Sequence, residues 1–109
     1  WRLAARLVED PSDQRARALA QRLASFYQSR TKLNAGYRLP TLEPLVDFEA
    51  VAFSAPAWAL LKALGDPKAS QYEADVRRLR SYGGLAKSYY GDSTLLLAGL
   101  QLSKPFWRK

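Results

Sequence analysis

The side chains able to carry chemistry in this sequence are carboxylates and aromatics: Tyr37, Glu43, Asp47, Tyr89, Tyr90 and Asp92, each at an expected loop or helix start. The chain has 109 residues and neither histidine nor cysteine. Common zinc constellations, a Ser-His pair, a thiol nucleophile and a disulfide framework are therefore excluded, and no metal site is expected. Gly83 and Gly84 have the setting of a helix stop and lack the spacing of a phosphate-cradling loop. Tyrosines combine an apolar ring face with a hydroxyl, which suits a sugar ring, although a buried tyrosine more often serves a core. Asp47 and Asp92 stand where an aspartate accepts helix N–H groups, so capping outweighs catalysis for both.

Helices are needed to hold these residues. Trp1, Ala4, Leu7 and Val8 recur at helical spacing. Asp10 is the expected cap of a second helix, with Pro11 at its first position and Asp13 in its first turn. That helix is expected to run to about Arg30 and to turn Ala16, Leu19, Leu23, Phe26 and Tyr27 toward a core. Residues 31–46 hold Gly36, Pro40 and Pro44 and make a long loop, a class that tends to be functional or disordered. Aromatic and leucine content argues here against disorder.

After Asp47, "FEAVAFSAPAWALLKAL" lacks a polar face, the pattern of a helix buried on most sides, with Pro56 expected to kink or restart it. Gly65 should end it. "SQYE" reads as a capping box from Ser70 to Glu73, opening a helix that buries Tyr72, Val76 and Leu79. Asp92 or Ser93 should cap a last, leucine-rich helix over 93–102. No stretch alternates with period two, so the class is all-α. Mostly buried helices alternating with half-buried ones suit two concentric layers, as in an α/α toroid, and a simple bundle is the competing architecture.

Composition bounds the function classes. Three Trp, six Tyr and four Phe exclude disorder, and no apolar run is long enough to span a membrane. The net charge of +7 invites a nucleic-acid reading. The arginines are spread along the chain from Arg2 onward, however, and no helix concentrates base-reading or phosphate-holding residues on one face, so no nucleic acid is expected as partner. The sequence contains no methionine, including at position 1, which suggests an internal or C-terminal piece of a longer protein.

Four motifs in order carry a resemblance to glycoside hydrolase family 8. "WRLA" looks like the end of a D-A-x-R-x-P-W-R segment, and "NAGYRL" resembles the family's A-G-Y-x-L loop. "LVDFEAVAFSAP" is similar to L-V-D-Y-x-S-x-A-F-x-A-P, and "SYYGDSTLLLAGLQLSKPFW" resembles Y-Y-x-D-S-L-x-L-L followed by S-G-N-W. The departures are Phe48 in place of the family's tyrosine, the missing glycine after "AGYRL", and "SKPFW" for S-G-N-W. The resemblance implies a secreted or periplasmic bacterial enzyme, the chain being the C-terminal part of an (α/α)6 barrel.

The implied reaction is inverting hydrolysis of β-1,4-linked glucans by two carboxyls about 6.5–9.5 Å apart, with no cofactor. By the resemblance, both catalytic carboxyls lie upstream of Trp1, so the segment alone is expected to be inactive and to need the N-terminal part of the barrel. What carries over is one wall of the cleft: Tyr89 and Tyr90 match the family's tyrosine pair and Tyr37 its loop tyrosine. Loop packing is an equal reading of Tyr37. Asp47 matches the aspartate of the family's D-Y, with a helix cap as the stronger reading. The alternative is a non-catalytic helical carbohydrate-binding or scaffold protein that kept the barrel.

Overall fold

The structure is a computed structural model that describes residues 1–80. Its order is α1 (Arg2–Glu9), α2 (Gln14–Gln28), α3 (Val51–Leu64) and α4 (Ala69–Arg80). Among the described residues there is no strand, only an isolated bridge between Tyr37 and Pro44, so the class is all-α. The helix expected over 93–102 lies outside the described residues.

Helix α1 buries Ala4 and Leu7, and the chain turns before α2 in a way the cap chemistry explains. The Asp10 carboxylate accepts from the Ser12 backbone N–H at 3.1 Å and from its hydroxyl at 2.6 Å. That local turn occupies Asp10, so it does not cap α2 as expected. Asp13 is the cap: its Oδ1 accepts from the Ala16 N–H at 2.9 Å, and its Oδ2 accepts from Arg6 Nε at 2.8 Å. The α1–α2 corner is thus fixed by one carboxylate serving both helices.

Helix α2 corrects a second expectation. Its buried row is Ala16, Ala20 and Ala24, whereas Leu19 and Leu23 remain 44% and 45% exposed. Alanines at every fourth position leave no side-chain bulk on that row, so α2 approaches α1 and α3 closely and the leucines are left on the flank. The helix ends at Gln28, short of Arg30, where the Ser29 hydroxyl donates to the Phe26 carbonyl at 2.8 Å.

Helix α3 is the hub, packing against α1, α2 and α4. Eight of its residues are buried, from Val51 through Ser54, Ala55, Ala57, Trp58 and Ala59 to Leu60 and Leu61. Its N-cap is Ala50, with no side-chain bond, so Asp47 is not the cap that the sequence suggested. The Asp47 carboxylate is fully exposed and instead pairs with Lys32 Nζ at 3.1 Å. Pro56 sits inside the helix and does not restart it. A proline removes one helix bond at about 3 kcal/mol, a penalty that burial of so many apolar side chains offsets. Gly65, at φ 72°, ends α3 with its own N–H on Lys62 O and the Asp66 N–H on Leu61 O.

Helix α4 begins at Ala69, and the Ser70–Glu73 capping box is not formed: Glu73 accepts from Arg77 at 2.7 Å instead. Asp66 Oδ1 takes the Lys68 N–H at 2.8 Å and opens the turn into α4. Tyr72 and Val76 are buried as expected, and Leu79 packs against Val51, Ala55 and Val76. The Tyr72 hydroxyl donates to the Tyr27 carbonyl at 2.8 Å, tying α4 to the end of α2.

Candidate functional site

The long connection between α2 and α3 gathers the described candidates. It folds back on itself: the Arg38 N–H donates to Glu43 O at 2.9 Å and the Leu45 N–H to Gly36 O at 3.1 Å. Gly36 has φ 126°, a conformation open to glycine and strained for other residues, which explains the glycine in "NAGYRL". Leu42 closes the tip at φ 60°.

Tyr37 is anchored at both ends. Its hydroxyl accepts the Asn34 backbone N–H at 2.8 Å, and its ring meets Phe26 edge to face with centroids 5.0 Å apart. The Arg30 guanidinium lies 4.5 Å from the Phe26 ring centroid and 5.2 Å from that of Tyr37. Asn34 is buried and donates from Nδ2 to Val46 O at 2.9 Å, while the Ala35 N–H reaches Phe48 O at 2.8 Å. The tyrosine therefore organises the loop, and it is partly buried against the core.

Beside it lies an open groove of about 490 Å³ lined by Asn34, Pro44, Leu45, Val46 and Asp47. Phe48, next in sequence to the lining residue Asp47, is 59% exposed. The groove offers a fixed carboxamide, a carboxylate held by Lys32, and apolar loop side chains. Such a mixture can hold a polyhydroxylated ring by hydrogen bonds and apolar contact, but it presents no pair of carboxylates for acid–base work. Glu43, the other loop carboxylate, accepts from the Thr41 hydroxyl at 3.4 Å and is exposed.

A second open groove, about 370 Å³, lies where Gln21, Ala24, Ser25 and Gln28 of α2 face Leu64, Gly65, Asp66 and Pro67. Gln28 Nε2 donates to Asp66 Oδ2 within it. Elsewhere the Arg78 guanidinium holds Glu49 through both carboxylate oxygens at 2.9 Å and Asp75 at 3.2 Å, bracing the start of α3 against α4. Those bonds, Asp75 first, raise the Arg78 pKa above its ordinary value.

Tyr37 and Asp47 thus lie on the same loop, with Asp47 in the groove wall and Tyr37 behind it. Tyr89, Tyr90 and Asp92 lie outside the described residues. Sequence reasoning missed Arg30, Phe26 and Asn34 as members of this cluster, because contact across a long loop leaves no periodic signal. The one signal available was the concentration of aromatics at the end of α2 and in the loop. Compared with protein-family models, curated proteins and solved structures, the chain finds no match.

Proposed function

We propose that the chain is the C-terminal part of an inverting glycoside hydrolase that resembles family 8, cuts β-1,4-linked glucans and folds as an (α/α)6 barrel. The observation that carries this reading is the collinear order of its four motifs. The all-helical class supports it, as does a buried central helix, α3, flanked by less buried ones. In this reading Tyr89 and Tyr90 bind the sugar, as their match to the family's tyrosine pair implies, and Tyr37 stiffens its own loop. Asp47 and Asn34 supply hydrogen bonds from the groove, and Asp92 is a cap. The general acid and general base belong to the part of the protein upstream of Trp1, which together with β-glucan is the partner of this segment. Secretion or a periplasmic location accompanies the reading.

The test is reducing-end release by the full-length protein from carboxymethylcellulose, lichenan and chitosan. Release from at least one of the three, with inversion at the anomeric carbon, is the expected result. No release from any of them overturns the hydrolase. Binding of these polymers without turnover identifies the non-catalytic carbohydrate-binding alternative.

A further inference from the structure

The apolar arc of α2 is wider than the surface that the described residues cover. The alanine row faces α1 and α3, and beside it Leu19 and Leu23, one turn apart, stay nearly half exposed. Arg15 and Arg22 border these leucines on the same flank, at the spacing i, i+4, i+7 and i+8 that places them side by side. Neither arginine makes an ion pair among the described residues, and α2 contains no Asp or Glu. Among the described residues, the flank is a short apolar stripe with an uncompensated cationic border.

We infer that this flank docks an amphipathic helix of a partner protein whose leucine-type stripe is bordered by Asp or Glu. Charge selects that occupant. A second copy docking through α2 would set arginine against arginine with no carboxylate to relieve them. Residues 81–109 carry Lys87, Lys104, Arg108 and Lys109 against Asp92 alone, a charge opposite to that which the border selects. The carboxylates of the α1–α2 corner are engaged, Glu9, Asp10 and Asp13 with Arg6, and Glu73 of α4 pairs with Arg77. An acidic amphipathic helix satisfies both parts of the flank at once, its apolar row against Leu19 and Leu23 and its carboxylates against Arg15 and Arg22.

The probe is a synthetic helical peptide of about five turns, with leucines on one stripe and glutamates on both borders. A lysine-bordered peptide of the same stripe is its counterpart. Binding is followed by fluorescence anisotropy of the labelled peptide and by amide shift changes in the protein. The glutamate peptide should bind with shifts centred on residues 15–23, and the lysine peptide should not bind. Raising salt well beyond physiological strength should weaken binding by about tenfold, since the border charges are exposed. The double change Leu19→Ser and Leu23→Ser should weaken it by at least about tenfold, a loss of about 1.4 kcal/mol. Arg15→Glu with Arg22→Glu should reverse the preference to the lysine peptide. All four positions are exposed, and unchanged circular dichroism verifies that the variants fold.

Equal binding of both peptides, no binding of either, or a preference that survives the charge reversal overturns the inference. So does a dimer in sedimentation that the leucine variants abolish, which would make the flank a self-association surface. Adsorption to phosphatidylglycerol vesicles without peptide binding would overturn it in favour of a lipid surface.

Discussion

Tyr72 shows how one side chain can serve two helices. Its ring is fully buried, its hydroxyl holds the Tyr27 carbonyl, and its ring edge meets Tyr27 with centroids 5.9 Å apart. Burial, followed by the influence of Tyr27, Tyr37 and Asp75, pushes the Tyr72 phenol well above its ordinary pKa. A phenol whose pKa is raised by folding stabilises the fold fully below its unfolded value, about 10. That contribution is lost as pH rises beyond it. Urea unfolding at a series of alkaline pH values should therefore show falling stability above about pH 10, and Tyr72→Phe should flatten the fall. At neutral pH the same substitution should remove about 1 kcal/mol, the net worth of a buried hydrogen bond.

Asp13 carries the opposite sign. The Ala16 N–H, then Arg6, hold its pKa below the ordinary value. Its stabilisation is present above about pH 4 and disappears as pH falls through the lower folded value. Asp13→Ala should speed hydrogen exchange at the Ala16 N–H and remove this acid sensitivity. Asp13→Asn should keep the cap but lose the charge-dependent part.

At the scale of the element, the packing row decides what a substitution does. Ala20 is fully buried between neighbouring helices, so Ala20→Leu should destabilise by about 1–3 kcal/mol through overpacking. Leu19→Ser, one residue away on the exposed flank, should stay within about 0.5 kcal/mol. In α3, the Ser54 hydroxyl is buried and has no hydrogen-bond partner among the described residues. Ser54→Ala removes an unsatisfied group and raises helix propensity, and should stabilise the protein by about 0.5–1 kcal/mol in urea unfolding. Gly65 has room for a methyl group but a left-handed backbone, so Gly65→Ala should destabilise by about 1 kcal/mol from conformation alone.

The caps show where sequence reading stops at this scale. Asp10, Asp47 and the Ser70–Glu73 pair each had the right residue type before a helix, yet Asp13 and Ala50 cap α2 and α3, and Asp66 makes the turn into α4. Ser12, Lys32 and Arg77 offered Asp10, Asp47 and Glu73 competing partners, and a local pattern does not rank such partners.

For the whole molecule, the helix order and the central role of α3 follow from hydrophobic pattern, whereas the long loop is positioned by contacts between residues far apart in sequence. Gln71 Nε2 donates to Thr31 O at 3.1 Å, and Arg30 bridges Phe26, Tyr37 and the Leu42 carbonyl. Tyr37→Phe should orphan the Asn34 N–H, so its exchange should quicken while the helical amides keep their protection. If the loop lines a sugar cleft, the same change in the full-length protein should raise KM more than it lowers kcat, because a loosened wall binds less well without touching the reacting bond.

By itself the sequence determined the all-α class, the four described helices to within a few residues, the buried character of α3 and the stop at Gly65. Each of these depends on periodicity or on the conformational range of one residue type, and both are written locally. Only the tertiary structure decided that α2 buries its alanines and leaves Leu19 and Leu23 outside. It alone decided that Asp47 pairs with Lys32, and that Tyr37 spends its hydroxyl on the Asn34 backbone. The reason is steric and competitive: helices settle where their backbones approach most closely, and polar groups go to the nearest partner that this packing provides.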